Sequence, residues 1–182
     1  SNAMRPGDIY KSYGGKKVEI SHTDAEGRLL LADAIELANE LNPSMIIDFA
    51  TLTGAARVAL GEEIPAYFCN DEKIAKLIDT LNNKKLRCWR LPLYQDYKKK
   101  LKSEVANLCN ASLDGMAGAI TASLFIQDFL YPSNLPWIHF DTYAWSNGSI
   151  LGTKGGALQG LDIMIDFIDK EMTGTMDIRV RV

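Results

Sequence analysis

Two carboxylates stand two residues apart in the stretch Ser21-His22-Thr23-Asp24-Ala25-Glu26-Gly27-Arg28-Leu29, beside a glycine and an arginine. If the backbone is extended from Asp24 to Glu26, both side chains leave the same face. Paired there, they could share divalent cations, whose charge offsets the repulsion between like carboxylates. Gly27 would let the chain turn sharply beside the ions. Arg28 would add a positive charge that proton loss does not remove. The same residues also allow a simpler reading. Thr23 and Glu26 have the spacing of a capping box, in which the threonine hydroxyl accepts the Glu26 amide and the glutamate reaches back. Gly27 would then sit in the first helical turn, at a cost of about 1 kcal/mol relative to alanine. Spacing alone leaves both open.

A second candidate segment is Asp48-Phe49-Ala50-Thr51-Leu52-Thr53-Gly54-Ala55. Here a buried strand runs into small and hydroxyl residues and then into a helix. Ligands of α/β sheets gather at such carboxyl ends of strands, and the amides that open the helix favour negative charge. An ordinary threonine N-cap would use the same residues.

The elements around these segments follow from periodicity. Residues 9–13 and 16–20 flank Gly14-Gly15, which predicts a hairpin with a two-residue primed turn. Leu30, Ala34, Leu37, Ala38 and Leu41 recur at helical spacing from Arg28, and Pro43 ends that helix. Met45–Ala50 reads as a buried strand, Gly54–Leu60 as a short helix and Ala66–Asn70 as a strand. Ile74, Leu77, Ile78 and Leu81 mark an amphipathic helix. Cys88–Leu93 is strand-like, Tyr94–Lys102 a basic surface helix, and 116–130 an apolar helix. Trp137–Thr142 is a further strand, and Leu158, Leu161, Ile165 and Ile168 place a last helix, with a tail after Thr173. Strands alternating with helices, several of them apolar throughout, predict an α/β fold: three α/β/α layers with a mixed, largely buried central sheet. No repeat or low-complexity linker marks a domain boundary.

Composition sets the remaining bounds. The chain has 182 residues, 47% hydrophobic and 24% charged, with a net charge of −3. That charge offers no footprint for nucleic acid or an anionic membrane. No apolar run approaches the roughly 20 residues of a bilayer span. Cys69, Cys88 and Cys109 are odd in number and far apart, which argues against a disulfide framework or a zinc knuckle and fits a reducing cytoplasm. Ser1-Asn2-Ala3 reads as an expression-tag scar. Arg5-Pro6-Gly7-Asp8, just after Met4, has the look of the interior of a longer protein.

Taken together, these residues resemble the leucyl aminopeptidase (cytosol aminopeptidase) family. The family signature N-T-D-A-E-G-R-L stands at His22 to Leu29, with His22 in place of the asparagine. Collinear matches follow at Leu31–Ala34, Ile47–Ala55, Trp89–Leu93, Leu101–Ser103 and Gly118–Ala122, and Arg5–Asp8 has its counterpart upstream of the signature. The resemblance runs to about residue 141. It implies a hydrolase that removes N-terminal residues from peptides with two divalent ions (zinc, manganese or magnesium), which activate water and polarise the scissile carbonyl. Carried over by position, Asp24 corresponds to a metal ligand and Glu26 to the carboxylate bridging both ions. Arg28 corresponds to the residue that binds a bicarbonate-type anion, and Thr51, Leu52 and Gly54 to the substrate-binding segment. Peptide substrates, a cytoplasmic location and a homo-oligomer, hexameric in the family, are the matching expectations.

The resemblance also implies an incomplete domain. The family's catalytic domain begins earlier, with a G-K-G-x-x-F-D-S-G-G-type stretch that brings a metal-binding lysine, two aspartates and a catalytic lysine. None of these is present, so residues 4–182 read as the C-terminal portion of the catalytic domain, and the isolated piece is expected to be inactive, with metal bound weakly or not at all. Within the piece, Thr142-Tyr143-Ala144-Trp145 replaces the usual I-A-G stretch, and Lys154-Gly155-Gly156-Ala157 only loosely matches K-G-A-T-G. Both lie near the side-chain pocket in the family, which puts leucine preference in question. His139 reads as a sheet histidine. The competing reading is a catalytically incomplete homologue with an assembly or binding role.

Overall fold

The computed structural model describes residues 3–82, 86–148 and 152–173. In chain order these form β1 (Ile9–Lys11), β2 (Lys17–Glu19), α1 (Gly27–Asn39), β3 (Ile46–Ala50), α2 (Gly54–Leu60), β4 (Ala66–Cys69), α3 (Glu72–Asn82) and β5 (Trp89–Arg90). A 3-10 helix (Gln95–Leu101), β6 (Leu108–Cys109), α4 (Gly118–Gln127), β7 (Trp137–Asp141), β8 (Trp145–Ser146), β9 (Gly155–Gly156) and α5 (Leu161–Thr173) follow. The tail read after Thr173 lies outside the described residues. None of the helices among them is long and apolar enough to cross a membrane.

The residues divide into two compact units. One holds the described residues up to Ile46, Leu52–Ala55 and Pro92–Leu135; the other holds Ile47–Thr51, the described part of Ala56–Leu91, and the described residues from Pro136 on. In the first unit β1 and β2 form the expected antiparallel hairpin, with Tyr10 opposite Val18. β6 adds to β2 in parallel, with Val18 beside Leu108. The turn differs from a two-residue primed turn. Ser12 N–H donates to the Lys16 carbonyl and Gly15 N–H to the Ser12 carbonyl, and Gly15 (φ +93°) has positive φ while Gly14 does not. One left-handed glycine after a tight turn suits a three-residue connection.

α1 packs against α4, and its buried face is Leu29, Ala32 and Ile35. The stripe expected from Leu30, Leu37 and Leu41 is instead exposed, at 70%, 52% and 82%. Both stripes satisfy a helical period because Leu29, Leu30 and Leu31 are consecutive. The hairpin decides between them. Tyr13 N–H and the Tyr10 hydroxyl donate to Asp33, Gly14 N–H to Glu36, and the Tyr13 hydroxyl to Glu40. These bonds fix which side of the helix faces the loop, and hence which faces the core.

The second unit contains the mixed sheet, in the order β3-β7-β4-β5. β4 pairs antiparallel with β7, Tyr67 opposite Phe140, and parallel with β5, Ala66 beside Trp89. Every residue of β4 and β7 is buried, as near-continuous apolar strands covered on both faces should be. The α/β class with mixed pairing is what the sequence predicts, although β8 and β9 form a separate two-stranded ribbon. α5 repeats the lesson of α1: Ile163, Met164 and Phe167 are buried, whereas Leu161 and Ile165 are exposed.

His139 is a sheet histidine, fully buried in β7. Its ring stacks against those of Trp137 (centroids 5.6 Å apart) and Phe68 (5.9 Å). Its Nδ1 lies 2.5 Å from Asp48 Oδ1, and the other carboxylate oxygen accepts Trp137 Nε1–H at 2.6 Å. On the opposite side of the strand Phe140 stacks on Phe49, 4.8 Å between centroids. Gly160 (φ +82°) runs so close beneath that a Cβ there would come within 2.8 Å of the Phe140 ring. Gly160→Ala is therefore expected to destabilise the fold by about 3 kcal/mol, combining overpacking with a left-handed backbone on a residue that has a Cβ. Urea unfolding reads this directly, and a change under 1 kcal/mol would contradict the packing described.

The three cysteines are free and buried. Burial pushes Cys69 up to about 11 and Cys88 to about 12. Cys109, pushed up to about 11, is raised by burial and then by its bond to Glu19. A thiol reagent at pH 8 should accordingly react slowly with all three until denaturant is added, since the thiolate is the reactive form. Rapid titration of even one thiol in the native protein would count against this.

Candidate active site

The Ser21–Ala25 segment leaves β2 through Ile20, which is fully buried, and is held by one residue from the other side of the hairpin sheet. Asn110 follows β6 and is almost wholly buried. Its Oδ1 accepts Ser21 N–H (2.8 Å), the Ser21 hydroxyl (3.1 Å) and His22 N–H (3.1 Å). Its Nδ2 donates to the carbonyls of His22 (2.7 Å) and Ala25 (3.3 Å). A buried amide that uses both ends in this way fixes the loop to the sheet. Sequence reasoning missed Asn110. Its only signal there is a polar residue directly after the apolar pair Leu108-Cys109.

Asn110 also anchors Arg28. The arginine is in the first turn of α1, is buried, and donates from Nη1 to the Asn110 carbonyl at 2.6 Å. Arg28, Asp24 and His22 line a cavity of about 240 Å³ together with Leu52, Thr53, Gly54 and Ala55, all within the first unit. Leu52 Cδ1 lies 3.8 Å from where a Cβ on Gly27 would stand, so the two candidate segments meet there. The far wall is the Ala111–Gly118 loop. Asp114 braces that loop; its ion pair with Lys100 comes first, then the Ser112 hydroxyl and the Met116 amide, in holding its carboxyl well below the usual range.

The structure brings Asp24, Arg28, Leu52 and Gly54 together; Thr51 and Glu26 are not among the lining residues. The backbone explains the position of Glu26. It is the N-cap of α1 with helical dihedrals (φ −74°, ψ −34°) and makes no side-chain capping bond. The stretch from Asp24 to Glu26 is thus turned, and strand alternation does not set the direction of the two carboxylates. The capping box fails for the same reason: Thr23 precedes the helix by too much to cap it. Among the described residues no three His, Cys, Asp or Glu side chains are placed to hold a metal ion. Two carboxylates by themselves fall short of a two-ion centre.

A profile of the cytosol aminopeptidase family, catalytic domain, matches residues 1–176. The chain belongs to the cytosol aminopeptidase family. It is 42% identical over 175 residues to a probable cytosol aminopeptidase of Syntrophotalea carbinolica, covering 94% of this chain and 35% of that one. The cytosol aminopeptidase of Encephalitozoon cuniculi is 40% identical, over 94% of this chain and 36% of the relative. The crystal structure of the Coxiella burnetii cytosol aminopeptidase superposes with a TM-score of 0.85 at 44% identity, over 97% of this chain and 37% of that one. A tomato leucine aminopeptidase mutant superposes with a TM-score of 0.81 at 36% identity, over 91% and 32%. The chain therefore spans about a third of the length of the aminopeptidases it matches. The two stretches that depart from the aminopeptidase pattern come together in the second unit. Trp145 pairs with Gly156, and the buried Gln159 accepts the Tyr143 and Ala144 amides (3.0 and 2.8 Å) through Oε1.

Proposed function

We propose that this chain contributes part of the active site of a metal-dependent aminopeptidase that hydrolyses N-terminal residues from peptides. Two separate sequence signals, the Asp24–Arg28 segment and Leu52–Gly54, meeting in one cavity of a chain of this family carry the reading. Asp24 and Glu26 are the candidate carboxylate ligands of two divalent ions, manganese or zinc or magnesium, whose other ligands lie outside these residues. Arg28, fixed by Asn110, supplies a permanent cation to the cavity. Leu52, Thr53 and Gly54, which follow β3 and line the same cavity, are the proposed seat of the peptide. Several relatives are named cytosol aminopeptidases, and a cytosolic location and a homo-oligomer are proposed here.

Residues 4–182 are, on this reading, the C-terminal part of the catalytic domain, and alone they turn over no peptide. The test pairs this chain with the longest natural polypeptide that contains it, each assayed on leucinamide with added manganese or zinc. Turnover only by the longer polypeptide is the expected result. No turnover by either would favour the assembly or binding role, and micromolar two-site metal binding with turnover by this chain alone would show that the site residues are misassigned.

A further inference from the structure

Five hydrogen bonds of the Asn110 side chain go to residues 21–25, the turn that carries Asp24. An amide NH2 has two hydrogens, and this one donates to the carbonyls of His22 and Ala25, which stand on either side of Asp24 in the chain. The hairpin sheet does not need this clamp. β6 is joined to β2 through main chain alone: Val18 lies beside Leu108, Glu19 beside Cys109, and Asn110 N–H donates to the Glu19 carbonyl at 2.9 Å. Nor does the turn hold itself tightly. Its own main-chain bond, Ala25 N–H to the His22 carbonyl, is 3.2 Å, at the long end of the usual range. The Asn110 carbonyl in turn accepts Arg28 Nη1 at 2.6 Å. Asn110 itself is 1% exposed and is not among the residues that line the cavity.

A carboxylate and a cation that line one cavity are thus both held by a single buried residue outside its lining. We propose that Asn110 is a positioning residue: its side-chain amide sets where the turn carrying the Asp24 carboxylate stands, and its main-chain carbonyl fixes Arg28 beside it. The proposal rests on the aminopeptidase reading of this cavity. A displacement of about 1 Å at a reacting group can cost about a hundredfold in rate. A clamp on the Asp24 turn therefore acts on turnover and spares the peptide's proposed seat at Leu52–Gly54. Aspartate is the discriminating substitution. It is isosteric with asparagine and keeps an oxygen for the Ser21 and His22 N–H groups. It also sets a second oxygen against the His22 and Ala25 carbonyls, where a donor is needed. Asn110→Asp should accordingly release the Asp24 end of the turn, keep the end joined to the sheet, and leave the main-chain carbonyl that holds Arg28 in place.

Steady-state kinetics of the longer polypeptide on leucinamide, for wild type, Asn110→Asp and Ser21→Ala, test the inference. Ser21→Ala is the control, because the Ser21 hydroxyl bonds Asn110 Oδ1 and the Ala111 carbonyl at the sheet end of the turn. In Asn110→Asp, kcat should fall about 10–100-fold with KM within about twofold of wild type. In Ser21→Ala, both should stay within about threefold. Amide hydrogen exchange of this chain gives a readout independent of activity. In Asn110→Asp the Asp24 and Ala25 amides should exchange at least about tenfold faster, while the β2 and β6 amides keep their wild-type rates. Wild-type exchange at Asp24 and Ala25 overturns the proposal, and so does faster exchange with unchanged kcat. A raised KM at unchanged kcat overturns it by placing Asn110 in peptide binding. An equal loss of kcat in Ser21→Ala overturns it by making the effect a general loosening. If Asn110→Asp does not fold, Asn110→Ser takes its place, and failure of both to fold overturns the proposal by making the side chain a requirement of the fold. No turnover by the wild-type longer polypeptide would instead remove the aminopeptidase reading, and the exchange rates would still decide whether Asn110 sets the turn.

Discussion

Asp48→Ala should destabilise the protein by about 3–5 kcal/mol, the usual cost of leaving one partner of a buried polar pair behind. The carboxylate accepts from Trp137 and pairs with His139, and both of those rings are fully buried. Removing it leaves two ring nitrogens without their partner, at roughly 1–3 kcal/mol each. His139 cannot compensate by turning over. It is stacked against both Trp137 and Phe68, and its Nε2 already has no hydrogen-bond partner among the described residues. A small domain has only about 5–15 kcal/mol of stability in all, so the alanine variant should be largely unfolded at moderate urea. Asp48→Asn keeps the shape and one acceptor for Trp137, and should lose less than half as much. Urea midpoints of the two variants check this, and an alanine variant within 1 kcal/mol of wild type would mean that the Asp48 contacts contribute little.

Asp48 also marks the limit of what sequence reading reached. The strand that carries it and the helix at Gly54–Leu60 were legible, because five apolar or β-branched positions and a run of small residues leave few alternatives. That an aspartate inside such a strand faces a tryptophan and a histidine roughly ninety residues on was not, since nothing local encodes a cross-strand partner. The two-residue strands β6, β8 and β9 were missed for the same reason. They exist only through their pairing, and two residues show no period. The helices α1 and α5 were legible as helices while their buried faces were not, because each has two apolar stripes and only tertiary contacts choose between them. At the candidate site the residue types of Asp24, Arg28 and Leu52–Gly54 were legible, and the geometry was not. The assumption of an extended Asp24–Glu26 segment ignored that Asn110, 84 positions beyond Glu26 in the chain, bends it.

Glu26→Gln should leave the fold intact and, on the proposed function, remove activity from the longer polypeptide. The first half follows from its surroundings. Glu26 is exposed, caps α1 without a side-chain bond, and does not line the cavity. Replacing it with the isosteric amide forfeits only the attraction of a negative charge to the helix start, about 0.3–1 kcal/mol. The second half rests on the proposed role. Glutamine keeps the size and the carbonyl oxygen of glutamate and loses the charge, and charge is what a carboxylate shared by two cations contributes. Loss of a residue that merely supports a metal ligand costs 10–100-fold, so loss of the shared carboxylate itself should cost more than about a hundredfold in turnover. Arg28→Lys is the useful companion. It retains the cation but not the planar fork that reaches the Asn110 carbonyl, so it should impair activity and also loosen the Ser21–Ala25 turn. Urea unfolding of this chain and leucinamide turnover by the longer polypeptide, measured for both variants, separate the two effects. If Glu26→Gln is stable and fully active, the bridging assignment fails, and Asp24 is left as the one carboxylate of this segment inside the cavity.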